Sequence, residues 1–210
     1  DALSWILGFL LEQHGPLIRE WKLSAFVSSA LDVVITFDAS PWGLGGVIFI
    51  AGVPTEFFKC PITFHDERRF HFKIGDSAGQ QTCEGLSVLV ALRLWRHYWV
   101  SARAALMLQG DNIAALTLAC RMKAKDGPMK AIAREVALEF SHTTVMPQLA
   151  QHIAGLTNVL ADYLSRRYEP GKENEPFPAD LLAATEVEPP VRDSSFYRVP
   201  VARTPRRRVR

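Results

Sequence analysis

The chain has 210 residues, of which 48% are apolar and 22% charged, and its net charge is +2. These are globular values, and the length fits one domain with extensions or at most two small domains. The three cysteines, Cys60, Cys83 and Cys120, are far apart and form no CxxC pair, which argues against a disulfide framework or a zinc site and favours a reducing location, cytoplasmic or nuclear. No apolar run reaches the roughly 18 residues of a membrane-spanning helix, and no basic segment precedes the apolar start as in a signal peptide.

The first 30 residues differ in character from those that follow. Residues 1–30 are predicted to form a helical arm of one or two short amphipathic helices, broken at Gly15 and Pro16. We interpret this arm as a packing segment or a connection from a preceding domain.

Three strands are predicted next. Residues 31–38 carry apolar side chains on both faces, which indicates a strand buried on both sides, yet this strand ends in the carboxylate of Asp38. Residues 46–51 and 55–60 follow as the second and third strands of an antiparallel meander. Residues 61–82 are polar and mixed, and we expect a long loop with a short strand at 70–74.

The strongest helix signal covers residues 84–99. Its apolar residues share one face, and Glu84 lies on that face in the predicted first turn. A short buried strand at 104–109 is again followed by an acid, Asp111. A carboxylate on a core-facing surface is costly unless it is paired, hydrogen-bonded or neutralised by a metal.

The remaining elements are mostly helical. Helices are predicted at 112–122 and from Gly127 to about Phe140, and a weaker strand at 144–151 contains Pro147, which suggests an edge position. A last helix, capped at Thr157 or Asn158, runs to Arg166. Residues 169–210 are rich in proline and charge without a period, so we expect them to be largely disordered. The arginines at 198–210 could touch nucleic acid or act as a localisation signal, and a solubilising tail or a linker stays equally open.

This order of elements predicts an α/β domain over residues 31–168. Because strand ends and nearby helix starts converge on one edge of such a sheet, Asp38, Glu84 and Asp111 are expected to meet there. Several carboxylates in one place cannot all stay ionised unaided, and hard divalent cations such as Mg²⁺ or Mn²⁺ relieve their repulsion. Paired ions of this kind are the usual apparatus of phosphodiester hydrolysis.

Four sequence blocks carry a resemblance to a known family. TFDAS at 36–40, CEGLSVLVAL at 83–92, GDN at 110–112 and HIAGLTNVLADYLSR at 152–166 resemble the blocks of type 1 ribonuclease H domains. The match is best to the ribonuclease H domains of retroelement reverse transcriptases, and the last block is similar to that of DIRS-like and related retrotransposons. The resemblance covers roughly residues 31–167.

The resemblance implies a fold and a site. The fold would be ribonuclease H-like, with a mixed five-stranded sheet, three antiparallel strands then parallel additions, flanked by helices. The ligands of two Mg²⁺ or Mn²⁺ ions would be Asp38, Glu84, Asp111 and Asp162. Asp38 would bridge both ions, and His152 would be a mobile histidine that assists proton transfer or product release. The residues implied to contact or support the substrate are Ser40, Gln80, Gln81, Asn112 and Asn158.

The implied activity is metal-dependent cleavage of the RNA strand of an RNA–DNA hybrid. Its partners would be the hybrid and an adjacent reverse transcriptase polymerase domain, with no membrane. A catalytically silent module of the same fold that binds nucleic acid or protein is the main alternative, and an integrase or junction resolvase is another. Two features depart from the family: an apparent insertion around residues 64–80, and a short stretch between Asp111 and His152. That stretch lacks an obvious substrate-gripping helix, although basic residues cluster in it, namely Arg121, Lys123, Lys125 and Lys130.

Each candidate also has an ordinary structural interpretation. Asp38 could close an Asx turn, Glu84 could favour the helix dipole, and Asp111 could be an N-cap. Asp162 could be a solvated helix acid and His152 a loop histidine. All of these would have to hold together, in the right order, for the site to vanish.

Overall fold

A computed structural model places most of the chain. The described residues are 2–13, 17–18, 20, 23–27, 29–100, 102–124, 127–141, 143, 149–155, 158–172 and 174–198.

A mixed sheet forms the centre of the molecule. Its strands are β1 (Leu31–Ala39), β2 (Gly43–Ile50), β3 (Val53–Pro61), β4 (Ala104–Gly110), β5 (Leu149–His152) and β6 (Thr185–Glu186). Their order across the sheet is β5-β4-β1-β2-β3-β6. The first three are antiparallel neighbours, β4 and β5 add in parallel beside β1, and β6 adds in parallel beside β3. The predicted mixed α/β architecture is confirmed, with six strands in the described part of the chain rather than five.

Helices cover both faces of the sheet. They are α1 (Ala2–Leu10), α2 (Ser24–Val27), α3 (Phe64–Phe70), α4 (Gln80–Leu94), α5 (Ile113–Arg121), α6 (Gly127–Ser141) and α7 (Val159–Ser165). The main core joins β1 to α4, α5 and α6, and a second, smaller cluster lies between β2, β3 and α7. Strand β1 lies in the interior of the sheet, between β4 and β2. Its Val33, Ile35 and Phe37 side chains are fully buried, as expected of a strand of β-branched and aromatic residues with neighbours on both sides.

The segment between β3 and α4 differs from the predicted loop. It contains helix α3, whose N-cap Thr63 accepts a hydrogen bond from the Asp66 backbone while the Asp66 carboxylate accepts one from the Thr63 backbone. This capping box stabilises the start of α3. The short strand predicted at 70–74 does not form. Helix α4 also begins earlier than predicted, at Gln80, so Glu84 lies in its second turn rather than its first.

The segment after α7 packs on the domain, which differs from the predicted disorder. Strand β6 pairs with Glu56 and Phe57 of β3, and Phe196 and Tyr197 join the main core. The buried guanidinium of Arg192 lies 2.9 Å from the carboxylate of Asp66 in α3. Residues 199–210, with most of the arginine cluster, lie outside the described residues.

The N-terminal arm contains α1 and α2, within the predicted helical region. Gly15 and Pro16, where a break is expected, and Pro147 lie outside the described residues. In the part of the chain that the structure describes, none of the helices has the length and apolar character needed to cross a membrane.

Candidate active site

Three carboxylates meet at one edge of the sheet. Asp38 stands near the end of β1, Asp111 directly follows β4, and Glu84 projects from α4. Strands β1 and β4 are parallel neighbours, so their carboxyl ends reach the same edge. One oxygen from each of the three side chains lies within 4.8 Å of the others.

Burial makes these carboxylates hard to ionise together. Asp38 is 4% exposed and Glu84 3% exposed. Burial raises the pKa of Glu84 to about 9, and the charges of Asp38 and Asp111 add to the rise. Burial likewise raises the pKa of Asp38 to about 7; a hydrogen bond from Ser165 opposes this, and the nearby acids reinforce it. A positive ion between such groups would favour their charged forms.

The donor set fits a hard divalent cation. The Oε1 atom of Glu84 accepts a hydrogen bond of 2.9 Å from Nε2 of Gln80, which also donates to the carbonyl of Ala39 at 2.5 Å. The Oε2 atom of Glu84 is buried and has no hydrogen-bond partner among the described residues. An unpartnered carboxylate oxygen in an all-oxygen cluster is available as a ligand of the kind that Mg²⁺ and Mn²⁺ prefer.

The fourth predicted ligand, Asp162, lies beside this cluster rather than within it. Its side chain is 40% exposed and forms an ion pair of 2.6 Å with Arg166, one turn further along the chain. Its charge nevertheless contributes to the raised pKa of Asp38, so the two carboxylates are close enough to interact electrostatically.

Ser165 is a site residue that the sequence-based prediction missed. Its hydroxyl is fully buried and donates to Oδ2 of Asp38 at 2.5 Å. The signal was present in the helical spacing, because Ser165 shares the buried stripe of α7 with Ala161 and Leu164. A polar side chain on such a stripe needs a partner, and the Ser165 hydroxyl has two acceptors, the carboxylate of Asp38 at 2.5 Å and the backbone carbonyl of Asp162 at 2.9 Å.

Two predicted substrate residues are instead buried between α7 and β1. The amide of Asn158 donates to the carbonyl of Phe37 at 3.0 Å. The hydroxyl of Ser40 donates to the carbonyl of Ser165 at 2.8 Å. Both side chains are less than 5% exposed, so they hold α7 against the sheet in this structure.

The other predicted residues lie around the rim. Asn112 caps α5, and its side-chain oxygen accepts hydrogen bonds from the backbone amides of Ala114 and Ala115. The exposed His152 ends β5, with Nε2 3.0 Å from the carbonyl oxygen of Asp111. Gln80 orients Glu84, whereas Gln81 is exposed and faces a groove beside α3.

Comparisons with known proteins give structural neighbours only. No family model and no curated protein sequence matches the chain. Among solved structures, ribonuclease H1 from the halophilic archaeon Halobacterium salinarum aligns with 65% of this chain and 96% of its own, at 15% identity and a TM-score of 0.48. The N-terminal ribonuclease H domain of a Mycobacterium tuberculosis protein aligns with 69% of this chain and 97% of its own, at 14% identity and a TM-score of 0.49.

A third neighbour is LC11-RNase H1, solved in complex with an RNA/DNA hybrid. It aligns with 63% of this chain and 92% of its own, at 18% identity and a TM-score of 0.48. With these TM-scores below 0.5 and identities below 25%, the function of this chain has to be argued from its own residues.

Proposed function

We propose that this protein is a metal-dependent ribonuclease H that cuts the RNA strand of RNA–DNA hybrids. The observation that carries the proposal is the cluster of Asp38, Glu84 and Asp111, with oxygens within 4.8 Å of one another. Two of these carboxylates are buried, and one oxygen of Glu84 is left without a partner among the described residues. The first three of the four sequence blocks that resemble ribonuclease H domains contribute these three residues in the expected order, and the fourth block contributes Asp162.

The residues of the cluster would hold divalent cations. Asp38, Glu84 and Asp111 would bind one Mg²⁺ or Mn²⁺, and Asp38 with Asp162 would bind a second. Such a pair of ions supplies an activated water and stabilises the leaving oxygen of a phosphodiester. Gln80 fixes the carboxylate of Glu84 through its 2.9 Å hydrogen bond. His152, exposed at the rim with Nε2 3.0 Å from the carbonyl of Asp111, would assist proton transfer or product release.

The substrate would lie across the open side of this cluster. A hybrid duplex is recognised through its shape and its 2′-hydroxyl groups rather than its base sequence. Exposed polar side chains such as Gln81 can contact those 2′-hydroxyl groups. The resemblance of the last block to retroelement domains supports a place beside a reverse transcriptase polymerase domain, in the cytoplasm or the nucleus.

Cleavage of a labelled RNA–DNA hybrid tests the proposal. With Mg²⁺ or Mn²⁺ we expect cuts confined to the RNA strand, none in EDTA, and none in duplex RNA or duplex DNA. The Asp38→Asn variant should fall to the level of the buffer control because a central ligand charge is lost, while its circular dichroism spectrum stays that of the wild type. Undiminished cleavage by this variant would overturn the assignment. Hybrid binding without cleavage by the wild type would favour the silent module instead.

A further inference from the structure

Helix α7 is attached to consecutive residues of β1 at both of its ends. At its start, Asn158 donates to the carbonyl of Phe37 at 3.0 Å. At its end, Ser165 donates to the carboxylate of Asp38 at 2.5 Å. The second bond differs from the first because its acceptor is a proposed metal ligand rather than a backbone group.

The hydroxyl of Ser165 is held in place by its surroundings. The residue is fully buried, and its own carbonyl accepts a hydrogen bond of 2.8 Å from Ser40. The Ser40 hydroxyl in turn accepts from the backbone amide of Gly43 at 3.1 Å. This chain of bonds ties Ser165 to the turn between β1 and β2.

Close backbone packing also fixes the end of α7. A Cβ atom placed on Gly45 of β2 would lie 2.5 Å from the backbone nitrogen of Ser165, and one on Gly43 would lie 2.6 Å from its carbonyl oxygen. Helix and strand therefore touch without intervening side chains, which fixes the backbone of Ser165 against β2. The Ser165 hydroxyl lies 2.5 Å from the Asp38 carboxylate and 2.9 Å from the carbonyl of Asp162, and the shorter contact is the one to the carboxylate.

We propose that Ser165 is a positioning residue that orients the Asp38 carboxylate for metal binding. Its hydrogen bond holds that carboxylate where one oxygen lies within 4.8 Å of oxygens of Glu84 and Asp111. Partners that orient a metal ligand typically contribute about 10–100-fold to metal affinity or activity. This inference rests on the proposed metal-dependent function, because it assigns a role at the same site.

The test compares Ser165→Ala with a matched control, Ser87→Ala. Ser87 is also a fully buried serine, and its hydroxyl donates at 3.1 Å to the backbone carbonyl of Gly45 rather than to a carboxylate. Both variants therefore lose one buried hydroxyl next to the same sheet. Thermal unfolding of each variant establishes that it is folded before binding is measured.

Mn²⁺ binding to the substrate-free protein, followed by electron paramagnetic resonance, is the main readout. We expect Ser165→Ala to bind Mn²⁺ about 10-fold more weakly, and Ser87→Ala to bind it as the wild type does. In the cleavage assay, Ser165→Ala should lower kcat at fixed metal concentration and leave the KM for the hybrid unchanged. Wild-type Mn²⁺ affinity in Ser165→Ala, or an equal loss in Ser87→Ala, would overturn the proposal.

These outcomes separate this inference from the proposed function. A wild-type protein that binds Mn²⁺ but cuts no hybrid contradicts the ribonuclease assignment, and the Mn²⁺ affinities still decide the role of Ser165. A wild-type protein that binds no Mn²⁺ contradicts both.

Discussion

Asp38 and Glu84 are carboxylates buried beside one another, and they make the stability of the metal-free protein depend on pH. Their pKa values are raised by burial to about 7 and about 9. A raised folded-state pKa gives stability that is fully present below the ordinary pKa of about 4 and is lost as the pH rises through the folded value.

In EDTA we therefore expect the free energy of unfolding to fall between about pH 5 and pH 9. Urea unfolding across this range measures it, and the double variant Asp38→Asn, Glu84→Gln should show a flatter profile. A wild-type profile as flat as that of the variant would contradict the expected pKa shifts.

Added metal should act in the opposite direction. Because the ligands must be deprotonated to bind, affinity for Mg²⁺ rises with pH and binding releases protons. A ligand that binds the folded state stabilises it, so the increase in melting temperature on adding Mg²⁺ should be larger at pH 8.5 than at pH 6. An equal increase at both pH values would indicate that Mg²⁺ binds elsewhere.

Residue type alone could find the acids of the site but could not assign its hydrogen-bond partners. Asp38, Glu84 and Asp111 were predictable because carboxylates stood at strand ends or on an apolar helix face. Ser40 and Asn158 have the residue types of substrate contacts, yet their side chains bond to backbone carbonyls between α7 and β1. Which acceptor a hydroxyl or amide takes depends on tertiary packing, which the local pattern does not contain.

At the scale of elements, the contact between β2 and α7 requires glycine. A Cβ on Gly45 would meet backbone atoms of Ser165 and Ala161 at 2.5 and 2.7 Å. We expect Gly45→Ala to lower the free energy of unfolding by about 1–3 kcal/mol, as overpacking typically does, and to lower hybrid cleavage because α7 carries Asp162 and Ser165.

A second glycine provides the control for this change. A Cβ on Gly127, the first residue of α6, has nothing within 4 Å among the described residues, so Gly127→Ala should leave both quantities close to those of the wild type. Urea unfolding and the cleavage assay on both variants decide the matter. Equal effects of the two substitutions would contradict the close contact between α7 and β2.

The longer elements followed from hydrophobic periodicity, and the short ones did not. Strand β1 and helices α5 and α6 carry clear patterns over nine or more residues. Helix α4 was predicted from a single apolar face, but it is buried on all sides from Thr82 to Leu92. Helix α3 depends on its capping box, in which Asp66 stands where glutamate or glutamine is the usual signal. Strand β6 has two residues, and its pairing partner β3 is over a hundred residues away in the chain, so no local pattern could reveal it.

For the whole molecule, the C-terminal segment should be required for stability. Ending the chain after Tyr168 removes Arg192 and Tyr197, both of which donate to the fully buried carboxylate of Asp66. Removing one partner of a buried ion pair typically costs about 3–5 kcal/mol, so we expect a loss of that size or larger in urea unfolding.

A chain ended after Arg198 is the matched control for this truncation. It keeps both donors and should unfold like the full chain. Equal stability of the two truncated chains would contradict the role of the segment. The composition of this segment predicted disorder because proline and charge dominate it. The aromatic pair of Phe196 and Tyr197 and the buried guanidinium of Arg192 outweigh that composition.

The separation of the site residues along the chain has a consequence during synthesis. A ribosome-bound chain that has emerged as far as β5 already holds Asp38, Glu84 and Asp111, but neither Asp162 nor Ser165. The proposed nuclease activity would therefore begin only after α7 has left the exit tunnel, and the stability that Arg192 and Tyr197 contribute would come later still. During that interval the nascent chain would hold three of the proposed metal ligands without being able to cut an RNA–DNA hybrid.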